Sequence, residues 1–471
     1  MSTAVTATFA GPSSSRLPLA VASLSLATLL SSLGTSIANV ALPTFETAFD
    51  ASFQAVQWIV LAYLLAITTL IVSVGRLGDM LGRRRLMLVG IGVFTVASIA
   101  CGSASGLWML VGARAAQGLG AAVMMVLAMA FVGDAVPKER AGRAMGVLGT
   151  MSAVGTALGP TLGGMLLAAS GWRAVFFVLA PLGLAAFLLM LRALPADRDS
   201  AAIRPAFDYA GSLVLALTLG AYALAMTLGR GSFGPANVAL LCLAMAGVGA
   251  FLVVESKAVS PLFRPALLMD RAIGRGFAMG ALVTTVAMTT LVVGPFHLAG
   301  ALHLAPAAIG LVMSAGPLVA ALVGVPAGRG VDRYGAARMT MAGLAGMLVG
   351  CTALSWLPAA SGAWGYIAAL VVVTAGFAMF QAANNTAVMT GVDAGQRGVA
   401  SGLLNLSRNL GLITGASMMG AVFTHAAGTH DITKAGVEAI VSGTHVTFAI
   451  AAALVGFALA IAVTGQRRRG R

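Results

Sequence analysis

Fourteen stretches of this chain run for about twenty residues or more with almost no charge. They lie at approximately 17–42, 54–75, 86–104, 107–132, 143–168, 173–194, 208–228, 237–255, 273–299, 306–327, 338–358, 363–389, 398–423 and 443–465. A helix needs about 20 apolar residues to cross the hydrocarbon of a bilayer. In hydrocarbon every backbone amide must be paired within its own segment or barrel, which leaves only helices and closed barrels. A barrel strand shows weak alternation over about ten residues, whereas these runs are unbroken. The expected fold class is therefore an all-α polytopic membrane protein with 14 transmembrane helices. The charged share of 9% agrees, since soluble domains carry about 25%.

The net charge of +14 is distributed by side. With the N-terminus inside, the tails and cytoplasmic loops collect 23 of the 28 basic residues. The outer side keeps Arg173, Arg230 and Lys434, while Arg114 and Arg408 lie within spans. This is the positive-inside asymmetry of a polytopic protein. It predicts that both termini are cytoplasmic, and the basic excess requires no nucleic acid. The expected partner is the lipid bilayer, in the plasma (inner) membrane. Trp58, Trp108, Trp172, Trp356 and Trp364 fall at span ends that this topology places outside, as an interfacial belt would. Cys101, Cys242 and Cys351 sit inside apolar runs and read as reduced packing residues.

A charged segment occurs twice. Residues 75–85 read GRLGDMLGRRR and residues 328–338 read GRGVDRYGAAR. A shift of 253 carries Gly75, Asp79, Gly82 and Arg85 onto Gly328, Asp332, Gly335 and Arg338. A shift of 256 carries Gly155 and Gly159 onto Gly411 and Gly415. A repeat of this kind predicts two homologous membrane halves that move against each other, the organisation of a transporter. The expected parts are a cytoplasmic tail at 1–16, a six-helix half at 17–194, an inserted two-helix hairpin with its loops at 195–272, a second six-helix half at 273–465 and a basic tail at 466–471.

Four motifs stand in order along the chain. The first charged segment fits G-x-L-x-D-x-x-G-R-R at Gly75, Leu77, Asp79, Gly82, Arg83 and Arg84. Span 4 contains RAAQGLG, with Arg114 and Gln117; span 5 contains GTALGPTLGG, with Gly155, Gly159, Pro160, Gly163 and Gly164. Span 1 ends TSIANVALP, with Asn39. Together these closely resemble the major facilitator superfamily and, with fourteen spans, its drug:proton antiporter (multidrug efflux) branch. The resemblance implies a monomeric exporter of small amphipathic compounds working by alternating access. It implies no cofactor, with a proton gradient as the energy source. It also implies that the charged segment, with Asp332 as its counterpart, latches the halves, that Arg114 serves proton coupling, and that the Gly-Pro series marks export.

The residues carry physical readings of their own. Gly75 and Gly82 suit a tight turn, and Asp79 suits a charge-assisted contact to a helix N-terminus or to Arg83. Arg83 to Arg85 as a bare topology signal is the rival reading. A cation at mid-span costs about 2.5–3.5 kcal/mol on insertion scales, so Arg114 is expected to face the central cavity or to tie spans together. Small residues at Gly155, Gly159 and Gly163 allow close helix approach, and Pro160 removes a donor. Asn39, Gln57, Tyr63, Gln117, His297, Gln381, Asn384, Asn385 and Asn405 form the polar minority of the spans. They are expected to line the cavity or to bond between helices. Gln381, Asn384 and Asn385 share one face of span 12.

The chain departs from the resemblance at Gly34, where the branch carries an Asp after Leu33. All fourteen acidic residues, Glu46 and Glu255 among them, fall in loops or at span ends. A neutral or anionic substrate therefore fits better than a cationic one. No phosphate loop, metal cluster or nucleophile with its base is present in the sequence, so an enzyme is not expected. An importer or metabolite permease, and a membrane sensor without transport, remain as alternatives.

Overall fold

The computed structural model describes residues 17–71, 73–135, 138–193, 209–228, 234–257, 271–390, 397–428, 432 and 435–467. Some side chains within these helices, those of Arg76 and Asp79 included, lie outside the described set, as do the tails and most of the hairpin's flanking loops. All regular structure among the described residues is helical. The helices are α1 Leu17–Ser36, α2 Leu42–Phe49, α3 Phe53–Ile71, α4 Val74–Leu81, α5 Arg83–Gly102, α6 Leu107–Ala135, α7 Lys138–Ser170, α8 Trp172–Phe177 and α9 Leu179–Ala193. They continue as α10 Tyr209–Thr227, α11 Pro235–Lys257, α12 Arg271–Gly300, α13 Pro306–Tyr334, α14 Ala336–Ser355, α15 Gly362–Thr390, α16 Arg397–Thr414, α17 Gly420–Ala427 and α18 Val437–Arg467. A π-helical segment, Gly415–Met419, joins α16 to α17.

Among the described residues, thirteen helical segments are long and apolar enough to cross a bilayer. The fifth apolar run lies in α7, whose apolar part, Val154–Ser170, is shorter. The helices pair in the same way twice. In the first set α1 packs on α7, α3 on α6, and α5 on α6 and α9; in the second α12 packs on α16, α13 on α15, and α14 on α15 and α18. Between the two sets, α10 packs on α11 and against α3. Trp58 Nε1 donates to Thr227 Oγ1 at 3.0 Å, and Ser73 and Ser212 share a hydroxyl bond of 2.8 Å.

The charged segments differ from the turn expected of them. Residues 74–81 are helical, and Gly75 and Gly328 have open space where a Cβ would stand. The turns are made by Gly82 (φ 90) and Gly335 (φ 85), repeat partners in a backbone region that L side chains avoid. Gly75 therefore has no steric reason to be glycine. Trp172 also departs from its expected place in an interfacial belt. It is buried, with its ring 5.7 Å from Phe45 and 5.2 Å from Phe49, because α2 folds back beneath it.

Candidate functional site

Arg114 lies inside the first set of helices, wholly buried. Its Nε donates to the Ile59 carbonyl at 3.0 Å and its Nη1 to the Gly34 carbonyl at 3.0 Å. Nη1 also reaches Gln117 Oε1, whose amide nitrogen in turn donates to Ser98 Oγ at 2.7 Å. The guanidinium sits 4.2 Å from the centre of the Tyr63 ring, a cation–π contact. Tyr63 Oη donates to the Ser31 carbonyl at 2.8 Å. This knot ties α1, α3, α5 and α6 together. Arg114, Gln117 and Tyr63 thus tie spans of their own half together, the second of the two arrangements the sequence leaves open, while Arg114 Nη2 is buried without a hydrogen-bond partner among the described residues. Asn39 is buried too, with Nδ2 3.3 Å from the Thr35 carbonyl. His297 is likewise internal to the second half, with Nδ1 3.1 Å from Thr444 Oγ1.

The two sets of helices meet along α7. A Cβ on Gly155 would stand 2.4 Å from the Leu29 carbonyl, one on Gly159 would run into Ser36 at the end of α1, and one on Gly163 into Ile37 and Val40 just beyond it. The same helix touches the other half: a Cβ on Gly164 would lie 2.6 Å from the Pro306 carbonyl, and one on Gly310 only 2.4 Å from the Pro160 carbonyl. One face of small residues thus packs on α1 while the adjacent face packs backbone to backbone on α13. The absent donor of Pro160 leaves its helix intact, since α7 runs through it.

At the end remote from the charged segments, the halves are joined by α3, α12 and α17. Phe53 and Phe296 stand 4.6 Å apart at their ring centres, and Phe423 lies 5.6 Å from Phe53. Gln54 Nε2 donates to Thr424 Oγ1 at 2.8 Å. The Ile432 amide donates to Glu46 Oε1 at 2.9 Å. Glu46, expected in a loop or at a span end, is therefore buried in α2 and takes part in this seal. Gln57, one turn from Gln54, is buried against Gly420 of α17; neither atom of its amide has a partner among the described residues. The sequence reading missed this seal, although the pair Gln54 and Gln57 on one face of a span end was its visible trace.

Nearer the charged segments, the second set encloses a polar cavity of about 180 Å³. Gln381, Asn384 and Asn385 of α15 line it together with Asn405 and Arg408 of α16. Asn384 Nδ2 donates to the Gly276 carbonyl at 3.1 Å.

The model of the Major Facilitator Superfamily matches this sequence over residues 24–416 and again over 276–470. The chain belongs to that superfamily. As a facilitator it is a membrane transporter and not an enzyme, built on an all-helical multi-pass fold. It is similar to the multidrug resistance protein Stp of Mycobacterium tuberculosis, with 32% identity over 82% of this chain and 72% of that one. It is similar to the riboflavin transporter RibZ of Clostridioides difficile, with 27% identity over 93% of this chain and 95% of that one. Its fold resembles a bacterial homologue of the human lysosomal transporter Spinster, with a TM-score of 0.71, 15% identity and coverage of 97% and 98%.

Other residues that facilitator motifs single out have less to show in this conformation. Arg84 Nη2 donates to the Leu191 carbonyl at 2.8 Å, a contact inside its own half. The Asp79 side chain lies outside the described residues, and Asp332 is exposed.

Proposed function

We propose that this facilitator exports small amphipathic compounds, drugs or metabolites, by alternating access coupled to proton antiport. It does so as a monomer in the plasma (inner) membrane, with fourteen spans and both termini cytoplasmic. The observation that carries the export reading is the seam of α7. Its Gly-Pro series contacts α1 through Gly155 and Gly159 and α13 through Pro160 and Gly164, so the helix that bears the exporter motif is the one on which the halves meet. The name of the Stp relative supports the same direction. Substrate is expected in the polar cavity of α15 and α16, and the sealed end is the one that opens to release it. Latching by the charged segments belongs to the state in which that end is open.

Everted membrane vesicles carrying the protein test this. An imposed inward-acidic gradient should drive uptake of fluorescent amphipaths, and a protonophore should stop it. Uptake unaffected by the gradient would remove proton coupling, and flux only in the opposite sense would remove export. The RibZ relative favours a second reading, import of a metabolite; growth of a riboflavin-requiring strain on limiting riboflavin distinguishes it.

A further inference from the structure

The two arginines within the spans are placed in opposite ways. Arg114 is 0% exposed and bonded to carbonyls. Arg408 is exposed, stands in the wall of the polar cavity, and makes no hydrogen bond or ion pair among the described residues. It lies eleven residues into α16, about 16 Å along the helix axis. A guanidinium at that depth is costly unless something neutralises it. No carboxylate lines the cavity among the described residues.

The surroundings are built for an oxyanion. Asn405 and Arg408 share one face of α16 at a spacing of three, and Gln381 and Asn385 face them from α15. Amide groups supply donors beside the planar fork of the guanidinium, the geometry that holds two oxygens at once. Met389 and Leu404 add apolar wall for the rest of a ligand. On the other side of Asn384 is a second cavity of about 470 Å³, open toward the charged-segment end and lined by Arg275, Arg338 and Tyr334. Asn384 borders both spaces, and no acid among the described residues lines either. Arg338 and Arg408 thus border adjoining low-dielectric cavities, and such cations raise the local concentration of anions.

We propose that the cavity at Arg408 binds the oxyanion group, carboxylate or phosphate, of an amphipathic organic acid, with Arg408 as the charge partner and Gln381 and Asn385 as donors. The inference rests on the transporter reading of this cavity and names its substrate class. It moves charge recognition from Arg114, whose Nε and Nη1 are taken by acceptors of its own half, to an arginine of the other half.

Binding to the purified full-length protein in lipid nanodiscs tests it. The probes are 2-naphthoate, 2-naphthyl phosphate and the uncharged 2-naphthamide, followed by equilibrium dialysis. The unaltered protein should bind at least one of the two anions ten times more tightly than the amide. Whichever anion binds better assigns carboxylate or phosphate as the natural group. Arg408→Gln should lower anion affinity at least tenfold while leaving the amide within twofold. Equal binding of acid and amide, no binding of either anion, or an Arg408→Gln protein that keeps the preference would each overturn the proposal. If Arg408→Gln does not fold, Asn385→Ala serves instead, with a threefold or greater loss for the anion alone expected; an unchanged ratio is the opposing result. Dialysis requires neither a gradient nor a direction. Loss of the acid preference with export intact therefore overturns this inference alone. An acid preference in a protein that only imports overturns the export reading alone.

Discussion

The guanidinium of Arg114 is held by the backbone of Gly34: Nη1 lies 3.0 Å from the Gly34 carbonyl oxygen. Gly34 stands where the resemblance of the span-1 motif implies a carboxylate. A carbonyl dipole from α1, a second from Ile59 and the side-chain oxygen of Gln117 therefore do the neutralising here. A Cβ at residue 34 would come within 2.8 Å of Tyr63 Oη and 3.2 Å of the Phe94 ring. The absence of a side chain is thus part of the packing.

Restoring the acid is expected to harm the protein. Gly34→Asp forces an overpacked core, at about 1–3 kcal/mol, and displaces Tyr63 from Ser31. Thermal unfolding in detergent should show a lower midpoint, and the added substitution Tyr63→Phe should recover part of the loss. A Gly34→Asp protein as stable as the unaltered one, with stronger proton coupling, would show that the site has room for the carboxylate.

Removal of Arg114 should act on folding before it acts on substrate. Arg114→Ala takes the guanidinium donors from the Gly34 carbonyl and the Gln117 oxygen, at about 1–3 kcal/mol each, while the Ile59 carbonyl keeps its helical bond within α3. Yield and unfolding midpoint should fall sharply, and Arg114→Lys should recover only part, because one ammonium cannot reproduce the fork. Binding of 2-naphthoate by the folded fraction should stay within twofold. A stable Arg114→Ala protein that has lost binding would return Arg114 to the substrate site.

The sealed end must open for transport. Cysteines replacing Gln54 and Thr424, whose side chains meet at 2.8 Å, in a background lacking Cys101, Cys242 and Cys351, should cross-link readily. Oxidation should stop flux and reduction should restore it. Full transport by the cross-linked protein would mean that this end does not move.

The charge asymmetry predicts the topology. Reporter fusions at residue 200 should report the cytoplasm and fusions at residue 430 the outside. The opposite result at either point overturns the fourteen-span reading.

Long apolar runs, their charge asymmetry and the recurrence of Gly82 as Gly335 were sufficient in the sequence to establish helices, their expected sidedness and a repeated plan. These are local properties: length against bilayer thickness, charge against a membrane face, and a backbone angle that glycine alone accepts easily. The face shared by Gln381, Asn384 and Asn385 was legible for the same reason, since helical spacing fixes which side chains are neighbours. Which polar groups face a cavity was not legible. Arg114 and Arg408 look alike in the sequence, each a lone cation in an apolar run. Only the approach of α1 and α3 brings the Gly34 and Ile59 carbonyls to Arg114, while the α15–α16 wall leaves Arg408 open. The fate of a buried charge depends on acceptors tens of residues away in the chain, and tertiary packing alone brings those acceptors within hydrogen-bond distance.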